Sequence, residues 1–202
     1  MPPRNRVIIS CTVFLTAYII FLLLWIQLKP YYGNLLTHTG GILAGLTAGA
    51  ELEKVVHEED MARVSYARTV MSEGNVGEVL LEFKLSVSNY SFNVPVSFAL
   101  AAGLFVFFRW RWKYLLEVSF VLVFVHVLYI YSYCTLNLFR ELTKAGLKNP
   151  SASVQFSLQF LWAFTDNMVI RFEPFLVSAY LWLRNRASRT NEKHSRKMEG
   201  AR

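Results

Sequence analysis

"VIISCTVFLTAYIIFLLLWIQ", residues 7–27, is an uncharged apolar stretch that directly follows the basic start "MPPRNR". An α-helix needs roughly 20 predominantly apolar residues to cross the hydrocarbon core of a bilayer. A signal peptide would have a shorter apolar region, of about 7–15 residues, and an A-x-A cleavage site, which does not follow here. The stretch therefore predicts an uncleaved membrane-spanning helix, and the chain is predicted to be an integral membrane protein.

Three later segments share this apolar character, and 54% of the 202 residues are hydrophobic. They are 92–108, 114–138 and 163–183, and their apolar residues occur in long blocks, as expected for segments that contact lipid. Pro95 would stand in the first turn of the second span, where its missing N–H costs nothing. The predicted fold class is an all-α membrane protein with four transmembrane helices and a small extracytoplasmic helix plus β-hairpin.

The distribution of Lys and Arg predicts which ends of the spans face the cytoplasm. Twelve cations flank the spans on one side, whereas the segment 28–91 carries five cations against eight acids. Both termini are therefore predicted to be cytoplasmic. The chain is predicted to begin with a cytoplasmic start and the first span (1–27), followed by an extracytoplasmic interfacial helix and hairpin (28–91). Two spans joined by the basic cytoplasmic turn 109–113 come next (92–138). An extracytoplasmic loop with an amphipathic segment (139–162), the last span (163–183) and a basic cytoplasmic tail (184–202) complete the order.

The net charge of +7 comes largely from these flanks. It predicts some attraction to anionic membrane lipid. Binding to nucleic acid is not predicted, because no combination of basic and aromatic residues occurs outside the membrane flanks.

A glycine-rich segment, "GGILAGLTAGA" (40–50), repeats a glycine every four residues at Gly41, Gly45 and Gly49. This doubled G-x-x-x-G pattern lets helices approach closely. The surrounding segment 34–50 is barely long enough to span and contains polar residues, and as a span it would invert every later segment. We expect a helix in or near the outer interface, with a re-entrant helix left open. The glycines are expected to pack against the first span, and self-association through them is the next possibility.

A β-hairpin is predicted within residues 57–90. Apolar and polar residues alternate along its second strand, and this period of two indicates a half-buried strand that pairs with 62–70. A lone hairpin is marginally stable, so its apolar face must cover something. An extended peptide could add to a free edge, or charged side chains could simply blunt the edges. The candidate partner-binding residues are Leu81, Phe83, Leu85, Val87, Arg63 and Arg68.

The last predicted span contains a charged stretch, "DNMVIRFEPF" (166–175). The helical rise places Arg171 and Glu173 in the outer half of the hydrocarbon. On a regular helix Arg171 would point about 160° away from Glu173, and its (i, i+4) neighbour is the uncharged Asn167. Pro174 removes a helical hydrogen bond and invites a bend, so it joins the glycines as a candidate packing residue.

A second helix must therefore supply the counter-charges, and His126 in the third span lies at nearly the same height. His126 and Glu173 are the preferred buried pair. Ionisable groups inside a bilayer are costly and normally face a bundle interior, which makes them functional candidates. An interhelical polar clamp that fixes helix packing is the alternative role. The complete predicted buried polar cluster is His126, Asn167, Arg171 and Glu173.

Sequence motifs for catalysis are missing: there is no H-E-x-x-H, no G-x-S-x-G, no Gly-rich phosphate loop and no Cys/His metal spacing. Neither a cofactor nor a metal is therefore predicted, and an enzyme is disfavoured. Cys11 and Cys134 should lie about a bilayer apart. Cys134 and His126 could form a membrane thiol hydrolase or transpeptidase, although about 12 Å of helix separates them. A small transporter using His126, Arg171 and Glu173 is a further alternative.

Two stretches carry a resemblance, "SNYSFNVPVSFALAAGLF" (88–105) and "NMVIRFEPFLVSAYLWLRNR" (167–186). In its order of segments the chain resembles the exosortase H-associated membrane proteins, small bacterial inner-membrane companions of an exosortase. That family has a Tyr-Ser start and a first-turn proline in its second span, and a mid-helix proline and an Arg-rich end in its last span. The matching residues are Tyr90, Ser91 and Pro95 for the first feature, and Pro174, Arg184 and Arg186 for the second.

The resemblance implies a location in the bacterial inner membrane and a non-catalytic, accessory role in sorting C-terminally tagged surface proteins. The expected partner is an exosortase or its substrate tail, contacted by the hairpin. Catalytic exosortases look different, with more spans and a Cys-Ser/Ala-Gly motif separate from an Asn-x-x-Arg motif. In "CTLNLFR" (134–140) the Asn-x-x-Arg follows Cys134 directly and the small residues are missing.

Overall fold

The structure of the chain is a computed structural model that describes residues 3–72, 75–107 and 112–199. Arg109 and Arg111 of the predicted basic turn, and the end of the predicted tail at 200–202, lie outside the described residues. The elements in chain order are α1 (Pro3–Ala48), β1 (Glu51–Glu58), β2 (Met61–Ser72), β3 (Asn75–Ser86), α2 (Val87–Ser91), α3 (Val94–Leu104), α4 (Trp112–Lys144), α5 (Ala152–Phe164), a π-helical segment (Thr165–Ile170) and α6 (Arg171–Glu199).

The chain divides into two compact units. The elements described in the first unit are helical: the start of α1, α3, the start of α4, and α6 from its second residue. Gly103 of α3 lies against α1, where its carbonyl accepts a hydrogen bond of 2.8 Å from Ser10 Oγ. A Cβ on Gly103 would lie 3.2 Å from the Cβ of Phe14, so a larger residue would push these two helices apart. The rings of Phe21 and Phe98 pack at 5.5 Å between centroids.

The second unit comprises Ile26–Phe92 and Val121–Arg171. It contains a three-stranded antiparallel sheet in the order β1-β2-β3. Ala62, Val64 and Tyr66 of β2 alternate on one face and are fully buried, the period expected for a sheet covered on one side. The core that covers them also includes Leu36, Ala44 and Ala48 of α1 and Ile130, Cys134 and Leu138 of α4.

The prediction of a two-stranded hairpin is wrong in the number of strands. β2 and β3 form a hairpin, but β1 pairs with the other edge of β2. Residues 62–67 are therefore paired on both sides, whereas residues 68–70 of the same strand pair with β3 alone. β1 escaped prediction because "ELEKVVHE" (51–58) carries four charged residues and a bulge between Leu52 and Lys54 interrupts its alternation.

The separate interfacial helix predicted over 34–50 is also wrong. α1 runs from Pro3 to Ala48 as one helix, with Pro30 inside it. It ends at Gly49, whose φ of 69° lies in the left-handed region that glycine adopts at low cost. Polar residues in the second half of α1 indicated a break, but tertiary packing in the second unit keeps them helical.

Among the described residues, two helices and not the predicted four are long and apolar enough to cross a membrane: Arg4–Ala48 and Trp112–Lys144. α3, in the second predicted span, has 11 residues and is about 16 Å long, roughly half the hydrocarbon thickness. The last predicted span, 163–183, is divided between α5, the π-helical segment and α6, and it contains three charged residues. The four-span, all-α class is therefore corrected to a helical fold with one sheet.

The turn between β1 and β2 is fixed by Asp60. Its carboxylate accepts hydrogen bonds from Ser86 Oγ (2.6 Å), Ser88 Oγ (2.7 Å) and the Ser88 N–H (3.1 Å), and it forms an ion pair with Lys29 of α1. Burial alone would raise the pKa of Asp60, but the bonds from Lys29 and the two serines lower it to about 2. We refer to Lys29, Asp60, Ser86 and Ser88 as the Asp60 network.

Candidate functional site

The charged stretch 166–175 lies where the chain leaves regular α-helical geometry. Thr165–Ile170 is π-helical and separates α5 from α6. Pro174 lacks the N–H that an α-helix would direct to the carbonyl four residues earlier, so the irregular turn has a cause in the sequence. Such π-helical turns are rare and are frequently found at functional sites.

An open cleft of about 690 Å³ lies beside this segment in the second unit. Asp166 and Arg171 both line it, because i and i+5 are close neighbours in a π-helix. The other side of the cleft is lined by residues of α2 and by Phe92, the residue that follows α2. The lining residues are Ser88, Asn89, Phe92, Asp166, Ile170 and Arg171.

The cleft contains two charged groups, the side chains of Asp166 and Arg171. Within the described residues, neither Asp166 nor Arg171 has a hydrogen bond or an ion pair. Arg171 is exposed and Asp166 is half-buried, and the ring of Phe92 is 55% exposed. The cleft therefore offers a cation, an anion and an aromatic surface, a set of groups suited to a charged peptide segment.

Asn167 does not share this environment, although the sequence places it beside Arg171. Its side chain is exposed and its amide donates a hydrogen bond of 3.0 Å to the carbonyl of Ala163, one turn back in the same helix. The α-helical spacing that predicted an Asn167–Arg171 neighbourhood does not apply, because Asn167 lies in the π-helical segment.

His126 lies fully buried in the second unit. Its Nδ1 is 2.7 Å from the hydroxyl oxygen of Tyr32 in α1, and the ring of Tyr90 packs 5.8 Å away between centroids. Burial raises the pKa of Tyr90 to about 12, so its phenol stays neutral. The aromatic packing continues from Tyr129 to Trp162, at 4.9 Å between centroids. Tyr32 was missed because no local pattern connects residues 94 positions apart.

Glu173 belongs to the first unit, where its carboxylate accepts a hydrogen bond of 3.1 Å from Ser97 Oγ in α3. The residue is 2% exposed, and a buried carboxylate requires such a partner. Hydrogen bonds of this kind, like the one between His126 and Tyr32, are what a packing clamp would use. The pairing of His126 with Glu173 stays a prediction.

The apolar face predicted to bind a partner is packed inside the second unit. Leu85 and Val87 are 4% and 2% exposed, and Leu81 and Phe83 pack against the same core. Phe83 lies 6.0 Å from the ring of Tyr66, measured between centroids. The expectation that this face must cover something is met by the chain's own helices, so these side chains are not available to a partner.

The two predicted arginines of the sheet have different surroundings. Arg63 forms ion pairs with Glu58 on β1 at 3.2 Å and with Glu82 on β3 at 3.3 Å. Arg63 lies on the central strand, so these pairs connect it to both outer strands, and only Glu58 and Glu82 supply charge at the sheet edges.

Arg68 has a buried Nη1 atom without a hydrogen-bond partner. Burial, followed by the positive charge of Arg68, lowers the pKa of Lys148. The Lys148 ammonium donates a hydrogen bond of 2.9 Å to the Ala48 carbonyl and lies 4.0 Å from the ring centroid of Phe139. The main role of Lys148 is therefore to bind the C-terminal end of α1.

The glycines of α1 contact the sheet and α4, and they are part of the same helix as the first predicted span. The Tyr66 hydroxyl donates a hydrogen bond of 3.1 Å to the Gly41 carbonyl, and burial raises the pKa of this phenol. A Cβ on Gly45 would lie 2.6 Å from the Ala50 carbonyl oxygen. Gly40 was not among the predicted glycines, but a Cβ on it would lie 2.8 Å from the side chain of Ile130. The close approach of α1 to α4 therefore occurs at Gly40, on a helix face next to that of Gly41 and Gly45.

Cys134 is fully buried in the core of the second unit, whereas Cys11 is exposed. A buried thiol is not accessible to a protein substrate, which argues against the thiol enzyme alternative. Within 3–72, 75–107 and 112–199, no group of three or more His, Cys, Asp or Glu side chains could hold a metal ion.

Comparison of the chain with protein-family models, with curated proteins and with solved structures gave no match.

Proposed function

We propose that this chain is a non-catalytic accessory protein of the bacterial inner membrane that serves an exosortase-type sorting system by binding the tail of a tagged protein. The sorting enzyme itself is the second candidate partner. The resemblance supplies the class of system, and the two apolar helices support the membrane location. The observation that carries the proposal is the cleft in which Asp166 and Arg171 have no partner within the described chain.

The expected ligand follows from the chemistry of the cleft. Asp166 accepts hydrogen bonds from a basic side chain, and Arg171 donates to a carboxylate in a two-pronged geometry. Phe92 offers an aromatic surface for the apolar or cationic part of the same segment. An extended tail that carries both charge signs would satisfy all three groups. The apolar face of the sheet is not involved, because it packs on the chain's own core.

Site-specific photocrosslinking in cells that contain the sorting system tests this placement. A photoreactive amino acid at Asn89, an exposed residue of the cleft, should crosslink to the tagged protein. The same group at Thr69, which is exposed on β2, is the matched control. Crosslinks at Asn89 to the sorting enzyme would assign the enzyme as partner. Crosslinks from Thr69 alone, or from neither position, would overturn the proposal.

The contribution of the charges is tested by substitution. Arg171→Gln should weaken co-purification of the partner about tenfold, since a charge-assisted hydrogen bond contributes roughly 1.5–3 kcal/mol. Lys54→Gln removes an exposed cation of β1 and should leave co-purification unchanged. Equal binding by all three proteins would contradict the role of Arg171.

The proposed orientation places the sheet outside the cytoplasm and both termini inside. In a Cys11→Ser background, Thr69→Cys should react with a membrane-impermeant maleimide in intact cells, whereas Ala187→Cys should react only after lysis. The reverse pattern would invert the topology.

A further inference from the structure

A second cavity, of about 230 Å³, lies between the end of α4 and the start of α5. Both elements belong to the second unit. The floor of this cavity is apolar, with Leu136 and Phe139 from α4 and Leu158 from α5, and Arg140 and Lys144 are also among its lining residues. We call it the α4–α5 groove. Its combination of apolar floor and basic side chains differs from the cleft around Asp166.

The two cations of the groove are not equivalent. Lys144 forms an ion pair of 2.6 Å with Glu141 on the same helix. Arg140 is exposed, and within the described residues it has no hydrogen bond or ion pair. Arg140 is therefore the group that can bind an anion without losing a protein partner.

α5 has the surface of a helix that lies against lipid. No residue of α5 is buried, and Phe156, Phe160 and Phe164 form an exposed row with stacked rings at 6.3 Å and 5.9 Å. Trp162 packs α5 against α4, with its ring 5.0 Å from that of Tyr133 between centroids. An apolar row open to solvent suits a helix that lies in the membrane interface. α5 itself carries no charged residue, so the cations that would face an anionic membrane are Arg140 and Lys144 of α4.

Charge and apolar surface together indicate one occupant. α4, which is apolar enough to cross a membrane, ends with Arg140 and Lys144, so the groove falls near the boundary of the apolar segment. We propose that the α4–α5 groove binds one anionic phospholipid, with its phosphate on Arg140 and part of one acyl chain over Leu136, Phe139 and Leu158. The site depends on the membrane location proposed above but not on the sorting partner.

Native mass spectrometry of the purified full-length protein in detergent tests this site. Phosphatidylglycerol and phosphatidylcholine with identical chains are added in equal amounts. The wild-type protein should retain phosphatidylglycerol preferentially, and Arg140→Gln should reduce this retention about fivefold, the effect expected for one cation at an anionic lipid surface. Lys54→Gln is the matched control and should retain the lipid as the wild type does.

Three outcomes of the lipid measurements would overturn the proposal. They are equal retention of the two lipids, unchanged retention by Arg140→Gln, and displacement of the lipid by inorganic phosphate alone, which would leave the apolar floor without a role. Retention of a peptide in place of lipid would also contradict it. Because Arg140→Gln could disturb α4, Leu158→Trp provides a second variant. It fills the groove and keeps the cation, so it should lose the lipid without losing the helix.

Discussion

Two sets of charged residues in the second unit differ in whether the described chain supplies their bonding partners. In the Asp60 network the carboxylate is bound by Lys29, Ser86 and Ser88, all from the same unit. In the cleft, Asp166 and Arg171 share a wall and have no partner within the described chain. Charges that the fold requires are satisfied by the chain itself. The remaining charges are the ones to test for a ligand, and the experiments below separate the two roles by their effect on stability.

The largest effect on stability is expected from Asp60→Asn. A lowering of the pKa from 3.8 to about 2 corresponds to about 2 kcal/mol at most. The side chain of Asp60 is 40% exposed, so solvent screening reduces the expected loss to about 1–2 kcal/mol. Thermal unfolding of the purified protein in detergent measures this loss. The control is Glu53→Gln on β1, and equal stability of the two variants would show that the network contributes nothing.

Acid should remove the same contribution. Because the pKa of Asp60 is lowered in the folded state, its stabilisation is complete above the ordinary pKa of 3.8 and is lost as the pH falls toward about 2. The difference in melting temperature between wild type and Asp60→Asn should therefore narrow between about pH 4 and pH 2. Burial, and to a smaller extent the charge of His38, lowers the pKa of His57. Wild type and Asp60→Asn share this residue, so its effect cancels in the difference between their melting temperatures. A difference that stays constant with pH would contradict the network.

Arg63→Gln should have a smaller effect. Its two ion pairs lie at 3.2 Å and 3.3 Å, and the arginine side chain is 36% exposed. Solvent-exposed pairs typically contribute about 0.2–1 kcal/mol each, and salt screens them. The melting temperature should fall slightly at low salt and show almost no difference at about 1 M salt. A loss as large as that of Asp60→Asn would mean that charge pairing across the sheet is a main source of stability.

The smallest change in stability is expected from Arg171→Gln, because no group in the described part of the chain loses a hydrogen-bond or ion-pair partner. The free energy of unfolding should stay within about 0.5 kcal/mol of the wild type. This value, measured on the same preparation as partner binding, separates a binding role from a structural one. A strongly destabilised Arg171→Gln protein would show that Arg171, like the Asp60 network, has a structural role.

The sequence predicted local features better than it predicted their assembly. The alternation of residues 81–88 indicated a strand, and β3 includes this stretch up to Ser86, because a period of two is a local property, but Val87 and Ser88 already belong to α2. β1 has no such signal, and it becomes a strand through pairing with β2. The four-span prediction treated every apolar block as lipid-facing, although the apolar residues Val94, Ala99 and Ala101 of α3 are buried against protein.

The candidate cleft was predicted in part. Asp166 and Arg171 were conspicuous as charges in an apolar stretch, but an α-helix would place them on different faces. Only the π-helical turn brings them to one wall, and no simple sequence pattern predicts such a turn apart from the following Pro174. Ser88, Asn89 and Phe92 were missed because they come from a short helix far away in sequence. The polar run "SNYS" (88–91) is the one signal that could have suggested them.

The connection between β1 and β2 limits how this chain can vary. Glu58 and Met61 are paired, so the loop is Glu59 and Asp60 alone. Glu59 has a φ of 53°, which costs a non-glycine residue about 1 kcal/mol. An inserted residue would relieve this strain but would carry the carboxylate of Asp60 out of reach of Ser86 and Ser88. We therefore expect related sequences to accept glycine in place of Glu59 and to show no insertions at this position.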